Sequence, residues 1–261
     1  MSAVSDLFSV DGKVAVVTGG SRGIGEMVAR GLLQAGATVY ISARKAEACD
    51  ATAADLSQFG KCVSVPADLS SRHGSEVLRE GVAKHEQRVD ILVNNAGASW
   101  GEPIDEYSEE GFDKVLDTNV KGVFFTTQLL LPLLRAGASA EDPSRVINIG
   151  SVDGLSVPVL ESFAYSASKA GVHMLTRHLA RRLVAEHITV NAIAPGLFPS
   201  KMTKFMFDTP ELRESIIDRI PMVRAGTQED IAGTVIYLSS RAGAYVTGAI
   251  IPVSGGVSTL S

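Results

Sequence analysis

Short runs of apolar, mostly β-branched residues alternate along the chain with longer stretches whose apolar positions recur every three or four residues. The runs are Val14–Thr18, Thr38–Ser42, Cys62–Val65, Ile91–Asn94, Val146–Ile149, Thr189–Ile193 and Ala249–Val253. Each is nearly all apolar. That is the pattern of a strand buried on both faces, and such strands belong to parallel sheets. Between them, Ile24, Val28 and Leu32 recur at helical spacing, and Met174, Leu175 and Leu179 do much the same. Strand and helix in alternation predict an α/β fold, a doubly wound parallel sheet of about seven strands with helices on both faces and right-handed crossovers. No repeat, linker or shift of composition divides the chain, so 1–261 is expected to form a single domain. Ala136–Ser144 is small and polar and is expected to be an exposed loop before the fifth strand.

Composition narrows the function classes. Of 261 residues, 45% are hydrophobic and 20% charged, enough apolar material for a large core. Twenty-four basic residues stand against 29 acidic ones, a net charge of −5, so a basic footprint for nucleic acid is absent. The longest apolar stretch, Val123 to Leu134, is broken by Thr126, Thr127 and Gln128 and is too short to span a bilayer. The opening residues have neither a basic n-region nor an apolar h-region, so no secretion signal is expected and a cytoplasmic location is. Cys49 and Cys62 make no disulfide framework. His73, His85, His173, His178 and His187 have no metal-ligand spacing, and they read as structural or solvent-facing.

The first candidate site follows the first strand. Thr18-Gly19-Gly20-Ser21-Arg22-Gly23-Ile24-Gly25 joins that strand to the first long helix. Glycine there permits positive φ and close approach of a ligand, and the helix N-terminus attracts phosphate. Arg22 beside that N-terminus is unfavourable by ~0.3–1 kcal/mol unless an anion offsets it. The second strand ends at Ala43-Arg44, where NAD-binding versions of this fold place a carboxylate for the ribose 2′-hydroxyl. An arginine without a carboxylate suits a 2′-phosphate, so Arg22 and Arg44 favour NADP(H) over NAD(H).

Taken in order, TGGSRGIG at 18–25, Asp68 in PADLS, NNAG at 94–97, Asn119 in TNVKG, Ser151 in NIGS, YSASK at 165–169 and NAIAPG at 191–196 resemble the short-chain dehydrogenase/reductase family over essentially the whole chain. Within it, the sequence is similar to bacterial 3-oxoacyl reductases, including the rhamnolipid-associated type. The resemblance implies a catalytic set of Asn119, Ser151, Tyr165 and Lys169. For the cofactor it implies Gly19, Ser21, Arg22, Gly23, Ile24, Gly25, Arg44, Asp68, Leu69, Asn95, Ala96, Gly97, Tyr165, Lys169, Pro195, Gly196 and Ser200, and no metal. It gives Asn119 a part in a water-linked proton relay and Lys169 a second contact on the nicotinamide ribose. Asp68 would contact adenine, though it also suits a cap on the next helix, and Ser200 takes the place of a threonine on the carboxamide.

The residues suit the hydride transfer between a ketone and a secondary alcohol that the resemblance implies, although Tyr-x-x-x-Lys alone is an ordinary helix pattern, Ser151 alone suits a cap or turn and Asn119 alone suits a buried backbone group. Tyr165 and Lys169 are four apart and share a helix face. A free Tyr titrates near ~10, and a neighbouring ammonium is expected to lower that value. A shift of ~3 units needs ~4 kcal/mol, expected from Lys169 together with the positive charge of an oxidised nicotinamide. Ser151 can hydrogen-bond the substrate oxygen, and Tyr165 can act as general acid or base.

Segment 197–222 is expected to be irregular and to cover the substrate. Met202, Phe205 and Met206 make an apolar stripe there that either packs on the body of the domain or faces the cleft. In the second case Trp100, Leu155 and Phe163 are candidates for the other wall, and the expected small-molecule substrate is a ketone or alcohol with an apolar chain or ring. Sugar, polyol or steroid dehydrogenation on the same machinery, or a non-catalytic NADP(H)-binding regulatory module, are the alternatives. Glu186 stands where carrier-dependent relatives have a basic residue, which weighs against an acyl carrier protein as partner. The resemblance further implies a homo-oligomer, a dimer or a homotetramer, with Arg177, Arg181 and Arg182 on a solvated or subunit-interface face. Ser254 replaces the Asp of the family's usual VDGG.

Overall fold

The computed structural model describes residues 4–158, 160–200, 203 and 209–259. A short helix α1 (Val4–Leu7) precedes the regular alternation β1 (Val14–Thr18), α2 (Gly23–Gln34), β2 (Thr38–Ser42), α3 (Ala46–Leu56), β3 (Cys62–Ser64), α4 (Arg72–Ala83) and β4 (Ile91–Asn94). Then come α5 (Glu109–Leu116), a π turn (Asp117–Lys121), α6 (Gly122–Gly137), β5 (Ser144–Ile149), α7 (Phe163–Leu183), β6 (Ile188–Pro195), α8 (Pro210–Ile217), α9 (Gln228–Ser239) and β7 (Ile250–Val253). The sheet has seven strands, all parallel, in the order β3-β2-β1-β4-β5-β6-β7. The expected α/β architecture is therefore the observed one.

Period-two alternation divides the strands between two apolar layers. Ala15 and Val17 of β1 face Val28 and Leu32 of α2, Cys49 and Leu56 of α3, and Val235 and Leu238 of α9. Val14 and Val16 face the opposite way, toward Leu78 of α4, Leu130 and Leu134 of α6, and Leu183 of α7. Burying each Leu or Val contributes about 1.5–3 kcal/mol, which is why nearly unbroken apolar runs are required. Arg145, on β5, is buried among them. Its guanidinium donates to the carbonyls of Leu238 (3.1 Å) and Ser240 (3.0 Å) at the C-terminal end of α9, where backbone acceptors lack helical donors.

Three expectations change. Ser144 lies in β5, and α6 runs on to Gly137, so the expected loop is shorter at both ends. Segment 197–222 is not wholly irregular, because it contains α8, which opens at Pro210 where proline's fixed φ suits a first helical turn. Met174 faces outward and is 61% exposed, while Val172, Thr176 and Ala180 form the buried stripe of α7.

Strand order reverses between β1, which continues to β2, and β4, which continues to β5. At such a switch point the following loops part and leave a crevice beyond the carboxyl ends of the strands. The glycine-rich turn and Asn95–Gly97 flank this crevice, which locates the candidate site.

Candidate active site

The turn after β1 closes tightly on α2. A Cβ at Gly25 would stand 2.3 Å from the Gly19 carbonyl oxygen, so no larger residue fits there. Gly23 has φ of 56°, a left-handed conformation that glycine adopts without strain. Arg22 is the N-cap of α2, and no side chain caps the helix, leaving its first-turn N–H groups without a side-chain acceptor. Arg22 and Arg44 are exposed, and neither side chain has a hydrogen bond or ion pair among the described residues. An uncapped helix end, a cradle only glycine can form and two uncommitted guanidiniums fit a dinucleotide bearing an extra phosphate.

Across the crevice, Thr18 stitches β1 to β4. Its Oγ1 accepts from the amides of Asn95 and Ala96, each at 2.9 Å, while Asn95 Nδ2 donates to the carbonyls of Thr18 (2.9 Å) and Gly19 (3.2 Å). Asn94 turns the other way, into the core, donating to Thr127 Oγ1 and Asn148 Oδ1. It stabilises the strand end, leaving Asn95, Ala96 and Gly97 as the crevice wall. A Cβ at Gly97 would be 3.3 Å from Asn119 Oδ1 and 3.8 Å from Lys169 Nζ, so this wall leads to the expected catalytic set.

Asn119 lies buried in the π turn, a helix distortion frequent at functional sites. Its Nδ2 donates to the Ala98 carbonyl (2.9 Å) and to Ser168 Oγ (2.9 Å), and its Oδ1 accepts from the Ala98 amide (2.8 Å). The side chain ties the loop after β4 to α7.

Ser151, Tyr165 and Lys169 converge. Ser151 follows β5 and is buried, and its Oγ accepts from the Asp153 amide (3.1 Å) at the start of a 3-10 turn, Val152–Gly154. Tyr165 and Lys169 lie one turn apart on α7. Lys169 Nζ is buried, donates to the Ile149 carbonyl (2.8 Å) and stands 5.4 Å from the centre of the Tyr165 ring. Burial pushes the Tyr165 hydroxyl up to about 12, the Ser151 side chain pulls the other way, and the negative charge of Asp153 adds to the rise. Burial also brings Lys169 down to about 8, against the pull of Asp153. In the free protein the phenol is thus raised; the expected lowering includes the charge of an oxidised nicotinamide, which enters only with the cofactor. Withdrawing a phenolate from water outweighs the hydrogen bond to Ser151, and the Lys169 ammonium is directed at the Ile149 carbonyl.

Two further residues join this cluster, Asp153, which the sequence did not single out, and His173, expected to be structural or solvent-facing. Asp153 is half-buried, and burial holds its carboxyl above the ordinary range while Lys169 draws it down. His173 extends the Tyr165–Lys169 face by another turn and is buried against the backbone of Gly154. Burial lowers its pKa, and the Lys169 and Arg177 charges add to the fall.

The remaining expected residues fall around this centre. The Ala67 amide donates to the Ala43 carbonyl (3.1 Å), bringing the loops of Arg44 and Asp68 side by side. Asp68 is exposed and accepts from Ser70, whereas Ser71 is the N-cap of α4, so the capping role falls to Ser71. Leu69 is buried beneath this loop. Pro195 ends β6, and the Gly196 amide pairs with the Val253 carbonyl. Ser200 reaches over the glycine-rich turn, its Cβ 3.1 Å from where a Cβ of Gly23 would lie, and its hydroxyl pairs with Thr203. Met202, Phe205 and Met206 lie outside the described residues. Trp100 packs on α5, with Lys114 Nζ 4.4 Å from its ring centre, while Leu155, Val157, Leu160 and Phe163 leave apolar surface exposed beside the site. Glu186 is paired with Arg135 (2.6 Å) and Arg182 (2.9 Å), so its negative charge is offset locally. Among the described residues there is no cluster of metal-ligating side chains and no helix long and apolar enough to cross a membrane.

The family model described as enoyl-(acyl carrier protein) reductase matches residues 19–258. The chain is 53% identical to the rhamnolipids biosynthesis 3-oxoacyl-[acyl-carrier-protein] reductase of Pseudomonas aeruginosa, over 95% of this chain and 97% of that protein. It is 37% identical to the 2-dehydro-3-deoxy-D-gluconate 5-dehydrogenase of Bacillus subtilis, over 98% of each. Among solved structures, the Pseudomonas aeruginosa RhlG/NADP active-site complex superposes with a TM-score of 0.95 at 52% identity, covering 97% of this chain and 99% of that one.

Proposed function

The chain belongs to the short-chain dehydrogenase/reductase family, and on that premise we propose that it is an NADP(H)-dependent oxidoreductase that reduces 3-oxoacyl compounds to 3-hydroxyacyl compounds. The observation that carries this reading is the meeting of Ser151, Tyr165 and a buried Lys169 at the crevice end of α7. When bound, NADPH supplies the hydride. Ser151 holds and polarises the ketone oxygen, and Tyr165 gives that oxygen its proton as it becomes an alkoxide. Lys169 sets the field at the phenol and reaches the ribose. Asn119 acts as a positioning residue through its tie to Ala98 and Ser168, so the relay role implied by resemblance falls to its backbone.

For the cofactor, Gly19, Ser21, Gly23, Ile24 and Gly25 would hold the diphosphate, and Arg22 and Arg44 would take the 2′-phosphate. Asp68 and the backbone at Leu69 would meet adenine, Asn95 to Gly97 would line the wall, and Pro195, Gly196 and Ser200 would hold the nicotinamide end. The NADP complex of the 52%-identical neighbour supports this assignment. The described parts of segment 197–222, residues 197–200, 203 and 209–222, are assigned to covering the substrate. The exposed Leu155, Val157, Leu160 and Phe163 support an apolar acyl chain. We place the enzyme in the cytoplasm as a dimer or homotetramer, a reading supported by exposed Phe124 and Met174 on its outer helices. NADPH oxidation with 3-oxoacyl-CoA esters of increasing length tests the assignment. Turnover that improves with chain length is expected, and binding of NADPH without turnover of any ketone would leave only the regulatory alternative.

A further inference from the structure

We propose that Asp153 is a specificity-determining residue of the carbonyl site, whose carboxylate admits neutral ketones and 3-oxoacyl thioesters and turns away ketones that carry a carboxylate near the reacting carbonyl. The inference rests on the reductase reading above and names the substrates its site rejects.

Position comes from the chain itself. Asp153 lies two residues beyond Ser151, and its amide donates to Ser151 Oγ (3.1 Å), so the two are tied at the point where the ketone oxygen is to be held. The same turn is seated against α7 at Lys169. A Cβ at Gly154 would lie 2.6 Å from the Lys169 carbonyl carbon and 2.9 Å from His173 Cε1. That leaves Asp153 little room to move as a unit apart from the helix that carries Tyr165.

The carboxylate is uncommitted. It is half-buried and has no hydrogen bond or ion pair among the described residues. Lys169, the cation of α7 whose charge acts on Asp153, gives its hydrogen bond to Ile149 instead. The Asp153 charge nevertheless acts on both Tyr165 and Lys169. A carboxylate kept partly out of water without a partner is costly, and beside reactive hydroxyls it acts on whatever enters.

The consequence is electrostatic. With the ketone oxygen between Ser151 and Tyr165, a free 3-oxo acid has its carboxylate only one methylene from the reacting carbonyl. Two carboxylates then share a partly desolvated space, where like charges repel strongly. A thioester or ester of the same acid carries no such charge. Rejection of the wrong partner by an unpaired charge is a common route to specificity.

The test compares 3-oxobutanoate with its methyl ester, measuring kcat/KM with NADPH for wild type, Asp153→Asn and Asp153→Glu. Wild type is expected to favour the ester. Asp153→Asn is expected to narrow that preference at least tenfold by raising the value for 3-oxobutanoate, and Asp153→Glu, which keeps the charge, to retain it. Asp153→Ser replaces the Asn variant if that one fails to fold, judged by circular dichroism and NADPH binding. A preference unchanged within twofold in the neutral variant, with the ester still reduced, overturns the assignment. Failure of the wild-type chain to reduce the ester or any longer 3-oxoacyl thioester is a different result. It removes the reductase reading, and this inference with it.

Discussion

A tightly held phenolic proton suits one direction of a carbonyl–alcohol exchange. The alkoxide formed from a ketone is far more basic than a phenolate, so Tyr165 donates downhill even with its hydroxyl raised to about 12. Running in reverse, the same residue must lose that proton first. Alcohol oxidation is therefore expected to accelerate with rising pH. Lys169 keeps its charge only below about 8, so kcat/KM for ketone reduction should be level below that pH and fall above it. Initial rates in both directions from pH 6 to 10 check the pair of expectations, and a reduction rate flat to pH 10 would contradict the Lys169 assignment. Ser151, Tyr165 and Lys169 were legible through the family resemblance carried by the ordered motifs; a Tyr and a Lys one turn apart on their own are an ordinary helix pattern, and a lone serine is an ordinary cap. Asp153 was not, since one acidic residue after a serine looks like ordinary turn chemistry. The direction of the Tyr165 shift was equally hidden, because desolvation is set by elements distant in sequence.

At the scale of elements, the glycine-rich turn does most to shape the crevice. Gly25→Ala forces a methyl group to 2.3 Å from the Gly19 carbonyl and pushes α2 away from β1. Overpacking of this kind costs about 1–3 kcal/mol. The expected outcome is a folded protein of lower Tm with NADPH affinity reduced tenfold or more, measured by thermal melts and fluorescence titration. Thr227 caps α9, its Oγ1 accepting from Asp230 while the Asp230 carboxylate accepts from Thr227. Thr227→Ala should cost about 1 kcal/mol in urea unfolding and leave NADPH affinity unchanged. The strands were readable to within a few residues, since a strand buried on both faces must be apolar throughout. α8 was hidden because its residues carry no strong apolar period, and Met174 was misplaced because tertiary packing chose the adjacent stripe of α7. The π turn at Asn119 leaves no mark in composition at all.

For the molecule as a whole, strand order decides where chemistry can happen. One reversal, between β1 and β4, collects residues from both ends of the chain at one crevice. The alternation predicted a doubly wound parallel sheet, whereas the strand order and the position of the reversal came only with the structure, because right-handed crossovers leave several orders open. Arg22 and Arg44 stand uncommitted at the rim of the crevice, and the proposed preference between two cofactors that differ by one phosphate rests on them. The double variant Arg22→Ala/Arg44→Ala is expected to weaken NADPH roughly tenfold or more while leaving NADH nearly unaffected. Equal loss for both cofactors would assign the arginines to the shared diphosphate instead.

The most direct test of the proton-transfer account is single-turnover reduction of a 3-oxoacyl-CoA by the NADPH-loaded Tyr165→Phe variant. The phenyl ring preserves packing and removes only the hydroxyl. The account predicts a rate at least about 100-fold below wild type, with NADPH affinity largely retained. A rate close to wild type would mean that another group protonates the oxygen, and the assignment of Tyr165 would be wrong.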